Sequence, residues 1–374
     1  MSNTKTISMK NINILFFVIL GMYLSACSTD ADTQNEEDVA ESETITSMYF
    51  PPLNSNEWET TTLSELQWNE TAVQGLYTFL EEKNTKAFIV LKNGRIAIEW
   101  YATDFTQDSP WYWASAGKTL TAFTTGIAVG EEYLNLSDRS SSHLGEGWTS
   151  LPKDKEDLIT VWNQLTMTTG MDDTRGDCKS PDCLTYVADA GTRWSYHNAP
   201  YTLIQDVITN ATSTSFESYF NSKLKDRIGM TGQWFSSNGS NNVYWSNARS
   251  MARFGLLNLN NGIWENTIVL DNPEFVQAMK NTSQELNESY GYLWWLNGKE
   301  SAMVPQSQIV FNIPLMPSAP NDLYAGLGKN DQKLYVVPSQ NLVIVRMGDE
   351  TGAAALGPSG FDNELWEQLN AVID

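Results

Sequence analysis

Alternating apolar segments sit near both ends of the chain, and a long block of helical periodicity separates them. "KAFIVLKNGRIAIEWYA", Lys86 to Ala102, alternates around Asn93-Gly94, which is a β-hairpin signal. After Tyr290, "YGYLWWLN", "LYAGLGKNDQKLYVVP" and "NLVIVRMGD" read as further strands. Between them the spacing predicts helices over Ser115–Glu132, Asp157–Met171 (closed by Gly170), 201–212, 215–230 and 246–264. One helix precedes the hairpin at Thr71–Lys83, and an amphipathic helix, "DNELWEQLNAVID", closes the chain. Segregated runs of strands and helices define an α+β protein. The expected architecture is one antiparallel sheet flanked by helices, with an inserted all-helical subdomain. The sheet part covers about 51–114 and 285–374, and the helical part about 115–284. The first residue of the insertion falls where the two parts meet, a common place for a pocket.

The folded part starts late. Lys5 and Lys10 precede an apolar run from Ile12 to Leu24, too short for a bilayer span of roughly 20 residues. The run ends in Leu24-Ser25-Ala26-Cys27. A basic start, an apolar middle and small residues before a cut describe a secretory signal over 1–26. A Cys in that place resembles the bacterial lipoprotein signal, which implies that Cys27 is lipidated and anchors the chain in the cell envelope, at the periplasmic side of the outer membrane or at the cell surface. Residues 27–50 are polar, contain seven acidic residues and lack apolar periodicity, so they are expected to be a disordered tether. The net charge of −22 argues against a nucleic-acid partner, which requires a basic face. Cys178 and Cys183 flank a Ser-Pro turn and are expected to form a local disulfide outside the cytoplasm. A metal site there is disfavoured, because only His143 and His197 exist to assist and nothing places them nearby. No metal or organic cofactor is expected.

Ser115-Ala-Gly-Lys118 opens the most apolar of the helical segments. Ser-x-x-Lys alone is weak, since Ser2/Lys5, Ser150/Lys153 and Ser222/Lys225 also match. Only Ser115/Lys118 lies on a helix apolar enough to be buried, where i and i+3 share a face. A buried lysine is unfavourable unless it is paired or deprotonated, and a neutral amine can take a serine proton. With no Gly-x-Ser-x-Gly elbow and only two histidines, a Ser-His-Asp triad is disfavoured. A second piece is "RWSYHNAPY": Tyr196 lies in a loop before a helix, where neighbouring ammonium groups would ease its ionisation and let it act as base or acid. Asn198 is placed to hold Lys118 and a substrate carbonyl. A third piece is "GLGKNDQKLYVVP", where glycines precede Lys329 at the edge of a strand whose N–H groups suit an oxyanion hole together with that of Ser115.

These pieces, in this order, resemble the serine β-lactamase and penicillin-binding superfamily, from about Thr71 to the C-terminus. The nearest resemblance is to its class C-like serine hydrolases, including esterases and 6-aminohexanoate-dimer hydrolases. The resemblance implies Ser115 as the acylated nucleophile, Lys118 as its proton acceptor, Tyr196 as general base or acid and Asn198 as a positioning residue. Lys329 would start the family's Lys-Thr-Gly strand motif, and Gln332 would supply the second oxyanion N–H. Here Lys329-Asn330-Asp331 replaces that motif. Asp331 would add a negative charge where the family binds a carboxylate, which favours a neutral ester or amide substrate. Trp111, Tyr112, Trp113, Trp294 and Trp295 are candidates for an apolar pocket or for core.

The expected activity is therefore a serine hydrolase acting on a small ester or amide. One alternative is a β-lactamase or D-alanyl-D-alanine carboxypeptidase. Another, of a different class, is a non-catalytic envelope binding protein on the same fold.

Overall fold

The Lys86–Ala102 segment forms the hairpin its pattern requires. Strands β1 (Thr85–Lys92) and β2 (Arg95–Tyr101) are joined by Asn93 and Gly94, both with positive φ, 49° and 81°. Two consecutive left-handed residues match the twist of paired strands. Gly94 also lies against the Tyr49 carbonyl, where a Cβ would be 1.9 Å from the oxygen. The structure, a computed structural model, describes residues 47–237, 241–352 and 357–373. The expected leader, the Cys27 lipidation site and most of the acidic tether lie outside the described residues. No helix among the described residues is long and apolar enough to cross a membrane.

The remaining strands are β3 (Trp111–Tyr112), β4 (Gln233–Ser237), β5 (Asn241–Ser246), β6 (Ile263–Trp264), β7 (Thr267–Ile268), β8 (Trp295–Leu296), β9 (Tyr324–Gly328), β10 (Gln332–Val337) and β11 (Leu342–Gly348). The helices are α1 (Val73–Glu82), α2 (Lys118–Gly130), α3 (Ser140–Leu144), α4 (Lys153–Glu156), α5 (Val161–Leu165), α6 (Asn198–Thr212), α7 (Phe216–Phe220), α8 (Ala248–Leu259), α9 (Pro273–Met279) and α10 (Gly360–Ile373). The main sheet has the order β2-β1-β11-β10-β9-β8 and is antiparallel throughout.

Both faces of this sheet are covered, so its central strands are buried along their whole length. Successive side chains of a strand point to opposite faces. On β10, Leu334 faces α8, whose Gly255 lets the helix approach so closely that a Cβ would be 2.8 Å from the Leu334 side chain and 2.4 Å from Val343. Lys333 and Tyr335 face α10 instead, where both bond to Asp362. Lys333 also pairs with Asp331 at 3.0 Å, and neither Lys333 nor Asp362 is exposed.

The central segment departs from the expected all-helical insertion in two ways. Within it, β4 and β5 pair with β3 into a three-stranded sheet. Helix α8, placed in the insertion by sequence, packs on β1, β10 and β11 of the main sheet. The single helix expected over Asp157–Met171 is shorter as well. A capping box at Thr160 and Asn163 starts α5, but the helix stops at Leu165. Beyond it, Met167 and Gly170 have φ of 60° and 75°, in a run of β-branched threonines that disfavour helix. That irregular stretch holds another loop: Met167 O accepts from Ser195 N and Thr168 O from Gly191 N. Helix α2 is buried almost all round, with Lys118 to Ala128 inside, which explains its unbroken apolar pattern.

Breaking a buried ion cluster leaves an uncompensated charge. Asp362→Ala is expected to lower unfolding stability by about 3–5 kcal/mol, measured by urea denaturation. A loss within about 0.5 kcal/mol, the range of an ordinary surface substitution, would mean that Lys333 and Tyr335 do not depend on it.

Candidate active site

Ser115 lies where β3 gives way to α2. Residues Ala114–Gly117 form one 3-10 turn that runs directly into the helix. Ala114 has φ 48°, a left-handed conformation that costs roughly 1–2 kcal/mol for a residue with a Cβ. The surroundings impose it: Trp113 N donates to Tyr244 O, and Trp113 Nε1 donates to Ser246 Oγ at 2.7 Å. Ser115 remains half-buried, while Lys118, one turn on, is only 1% exposed.

Lys118 Nζ donates to Ser115 Oγ at 3.0 Å. Its other neighbours are the ring faces of Tyr196 and Tyr201, with centroids at 4.9 and 4.4 Å. Ring faces favour a cation but replace little of its hydration. Among the described residues, no carboxylate forms an ion pair with Lys118. Burial therefore dominates and pushes its pKa down to about 7, against the opposing charge of Asp177. An amine in this state can accept the serine proton at neutral pH.

Tyr196 sits in the loop held by Met167, where Ser195 N donates to Met167 O and His197 N to Met167 Sδ. Its ring stacks on Trp295 at 5.7 Å and meets Tyr290 edge-on at 6.3 Å. The sequence suggested that the phenol would ionise easily, but burial pushes its pKa up, and the hydrogen bond with Ser115 opposes this only in part. Tyr196 is thus a protonated partner of the serine at neutral pH. Tyr201, not singled out by sequence, supplies Lys118 with its second ring face; its position on α6 follows from the helix that Asn198 starts.

Asn198 does not bond to Lys118. Its Nδ2 donates to Asp177 Oδ1 at 2.7 Å, and its Oδ1 is buried without a partner. Asp177 was missed by sequence reasoning. It immediately precedes Cys178, and the Cys178–Cys183 disulfide, with Cα atoms 5.9 Å apart, closes the loop that follows it. The cysteine spacing was the one available signal, and it marked the loop rather than the carboxylate.

The third motif lies at a different register. Strand β9 ends at Gly328, where a Cβ would be 2.4 Å from Trp113 O and 3.1 Å from Ala116 N. Gly326 likewise abuts Ala116 O and Thr119. The backbone beside the serine is therefore that of Gly326 and Gly328, where a Cβ would fit only tightly at the first and not at all at the second. Lys329 is exposed in the following turn. Gln332 pairs across the ladder with Gly328, and its side-chain amide donates to Gly348 O at 2.6 Å and to Asn330 O at 3.0 Å, so that side chain fastens the turn. Asp331 was expected to charge the site, but it is 3% exposed and bonded to Lys333, Ser359 and Thr351. Arg346, unnoticed in an apolar strand, donates to Asn330 O and Asp331 O and holds the turn in place. Asn330 Nδ2 in turn donates to Tyr112 OH at 2.9 Å.

Of the five candidate pocket aromatics, Trp113, Trp294 and Trp295 are core, while Trp111 and Tyr112 are partly exposed. His143 bonds Asp138 at 3.2 Å. His197 is buried with both ring nitrogens unpartnered and its pKa lowered to about 4 by burial, so it is neutral at pH 7. Among the described residues, no cluster of His, Cys, Asp and Glu could hold a metal ion.

The charge of Asp177 raises the Lys118 pKa, so removing it lets that pKa fall. For Asp177→Asn, the acid limb of an ester-hydrolysis pH profile is expected to move to lower pH by up to about one unit. An unmoved limb would separate Asp177 from Lys118.

Comparison with known proteins agrees with this arrangement. The beta-lactamase family profile matches residues 80–363. No curated protein matches the chain in sequence. A Bacteroides dorei structure provisionally assigned as a beta-lactamase superposes with a TM-score of 0.64 at 18% identity, covering 82% of this chain and 99% of the other. A Bacillus anthracis structure provisionally assigned as a 6-aminohexanoate-dimer hydrolase gives 0.64 at 19%, covering 86% and 88%. A penicillin-binding protein from Bacillus halodurans gives 0.56 at 15%, covering 79% and 99%. At these identities the likeness is one of fold. With the profile spanning most of its length, the chain belongs to the beta-lactamase family, and its fold is that of a serine hydrolase in the general sense.

Proposed function

We propose that the protein cleaves an ester or amide bond through an acyl-enzyme on Ser115. The observation that carries this reading is the 3.0 Å contact between Ser115 Oγ and the buried Lys118 Nζ. Ser115 Oγ attacks the carbonyl carbon, and its proton passes to the neutral Lys118 amine. Backbone N–H groups of Ser115 and of the neighbouring β9 would hold the developing oxyanion. Tyr196, protonated and hydrogen-bonded to Ser115, relays a proton to the leaving group. Water then attacks the acyl carbon, the same groups run in reverse, and Ser115 is regenerated. Asn198, whose Oδ1 has no protein partner, offers that oxygen to the substrate.

Glycines on β9 support a neutral substrate, because neither Lys nor Thr stands on the strand beside the serine. That favours an ester or amide over a β-lactam or a peptide carboxylate. The chain acts at the cell envelope, held there by a lipid on Cys27.

Lys118 is charged below about pH 7 and neutral above it. The kcat/KM for a p-nitrophenyl ester is expected to rise with pH and level off above an inflection near 7. Intact-mass spectrometry after mixing with the same esters is expected to show one acyl adduct on Ser115. Ser115→Ala is expected to lose the adduct and at least about a thousandfold in rate. Hydrolysis by Ser115→Ala at the parent rate would overturn the proposal.

A further inference from the structure

The loop between β8 and β9 exposes an apolar run. Ile309, Val310, Phe311 and Ile313 are 63, 49, 39 and 57% exposed. One exposed isoleucine needs no explanation, but four apolar residues within five positions make a contiguous patch of the kind that marks a binding surface. An antiparallel bridge, with Ala302 and Phe311 exchanging two 2.9 Å backbone hydrogen bonds, folds the loop back on itself. Beneath it runs a groove of about 360 Å³, walled by Val304, Phe311, Ile313, Leu315 and Pro358. None of the groove's lining residues is charged.

Two polar ties join this groove to both sides of the candidate active site. On one side, in the same loop three residues before Phe311, Gln308 Nε2 donates to Trp194 O at 3.0 Å, and the Trp194 ring packs 6.5 Å from that of Tyr196. On the other, Ser359 Oγ donates to Asp331 Oδ1 at 2.8 Å, in the turn whose Asn330 bonds to Tyr112. The groove is thus anchored to the Tyr196 loop and to the β9–β10 turn, the two segments that flank Ser115. Its size falls within the range of small-molecule sites.

We infer that the groove is the subsite for an uncharged apolar chain of the substrate, so that the preferred substrates are medium-chain acyl esters or amides. This rests on the hydrolase reading above. An uncharged lining suits a chain with no charge at its far end. The net charge of −22 disfavours an anionic lipid surface as the occupant. The loop residues would then be exposed because the chain that covers them arrives with the substrate.

The test compares p-nitrophenyl acetate, butyrate, hexanoate and octanoate on the parent and on the double variant Phe311→Ser/Ile313→Ser. Partial to full burial of each methylene is expected to raise kcat/KM about two- to fourfold up to octanoate in the parent. The double variant is expected to flatten that series and leave the acetate rate unchanged. Ile313→Asp, at a position more than half exposed, repeats the test if the double variant fails to fold. A parent series that is flat or falling overturns the inference, as does a rise that the variants retain. Binding to phosphatidylcholine vesicles that the variants lose, together with a flat series, would assign the patch to a membrane surface instead and also overturn it. Acetate turnover without chain-length dependence removes only the groove. Absence of any acyl adduct on Ser115 removes the hydrolase reading and this subsite with it.

Discussion

The site depends on one unfavourable placement, a lysine buried at the start of α2. An amine there gives up most of its hydration and receives two ring faces and one hydroxyl in return. Burial alone would favour an aliphatic side chain in that position. Among the described residues no carboxylate pairs with the lysine, and burial brings its pKa down to about 7. Its partners follow from the same requirement. Tyr196 and Tyr201 close the space around Nζ, and the irregular stretch through Met167 fixes the loop that carries Tyr196. The glycines of β9 let the sheet approach the serine's backbone.

The charged residues of the sheet do different work. Lys333 and Arg346 face each other across β10 and β11, in strands whose side chains are, Gln332 apart, otherwise mostly apolar. Each is paired or hydrogen-bonded. Lys333 pairs with Asp331 and Asp362, and Arg346 reaches the carbonyls of Lys83, Asn330, Asp331 and Asp349. Together with Gln332 they shape the turn after β9, and the turn bonds to Tyr112 beside the serine. Asp331 belongs to this scaffold. Its burial among donors removes the electrostatic reason for which a carboxylate-bearing substrate was disfavoured, and the proposed preference for a neutral substrate rests instead on the lack of a Lys or Thr on β9 beside the serine.

Much of the fold was legible because periodicity reports burial. The hairpin at Asn93-Gly94, the helix from Lys118 and the strands through Leu342–Gly348 each carried an unambiguous local pattern. The lost part of the Asp157–Met171 helix was not legible, since tertiary hydrogen bonds to the Tyr196 loop outweighed local spacing. Ser115, Lys118 and Tyr196 could be named because their chemistry is odd for their surroundings, and the structure brings all three together. The third motif lies at a different register from the one the sequence suggests: glycines carry no side-chain signal, so Lys329 and Gln332 stand out in the sequence while Gly326 and Gly328 lie beside the serine. Asp177 was invisible because it lies in a loop, and only folding brings it to Asn198.

The central claim is that Lys118 is neutral for a large part of the time at physiological pH. Selective ¹³C labelling of lysine, with the Lys118 resonance assigned by its loss in Lys118→Met, measures this directly. Titration of that resonance with an apparent pKa near 7, while surface lysines titrate near 10.4, is the result expected. A Lys118 that titrates with the surface lysines would contradict the account, because a permanently charged ammonium cannot take the serine's proton.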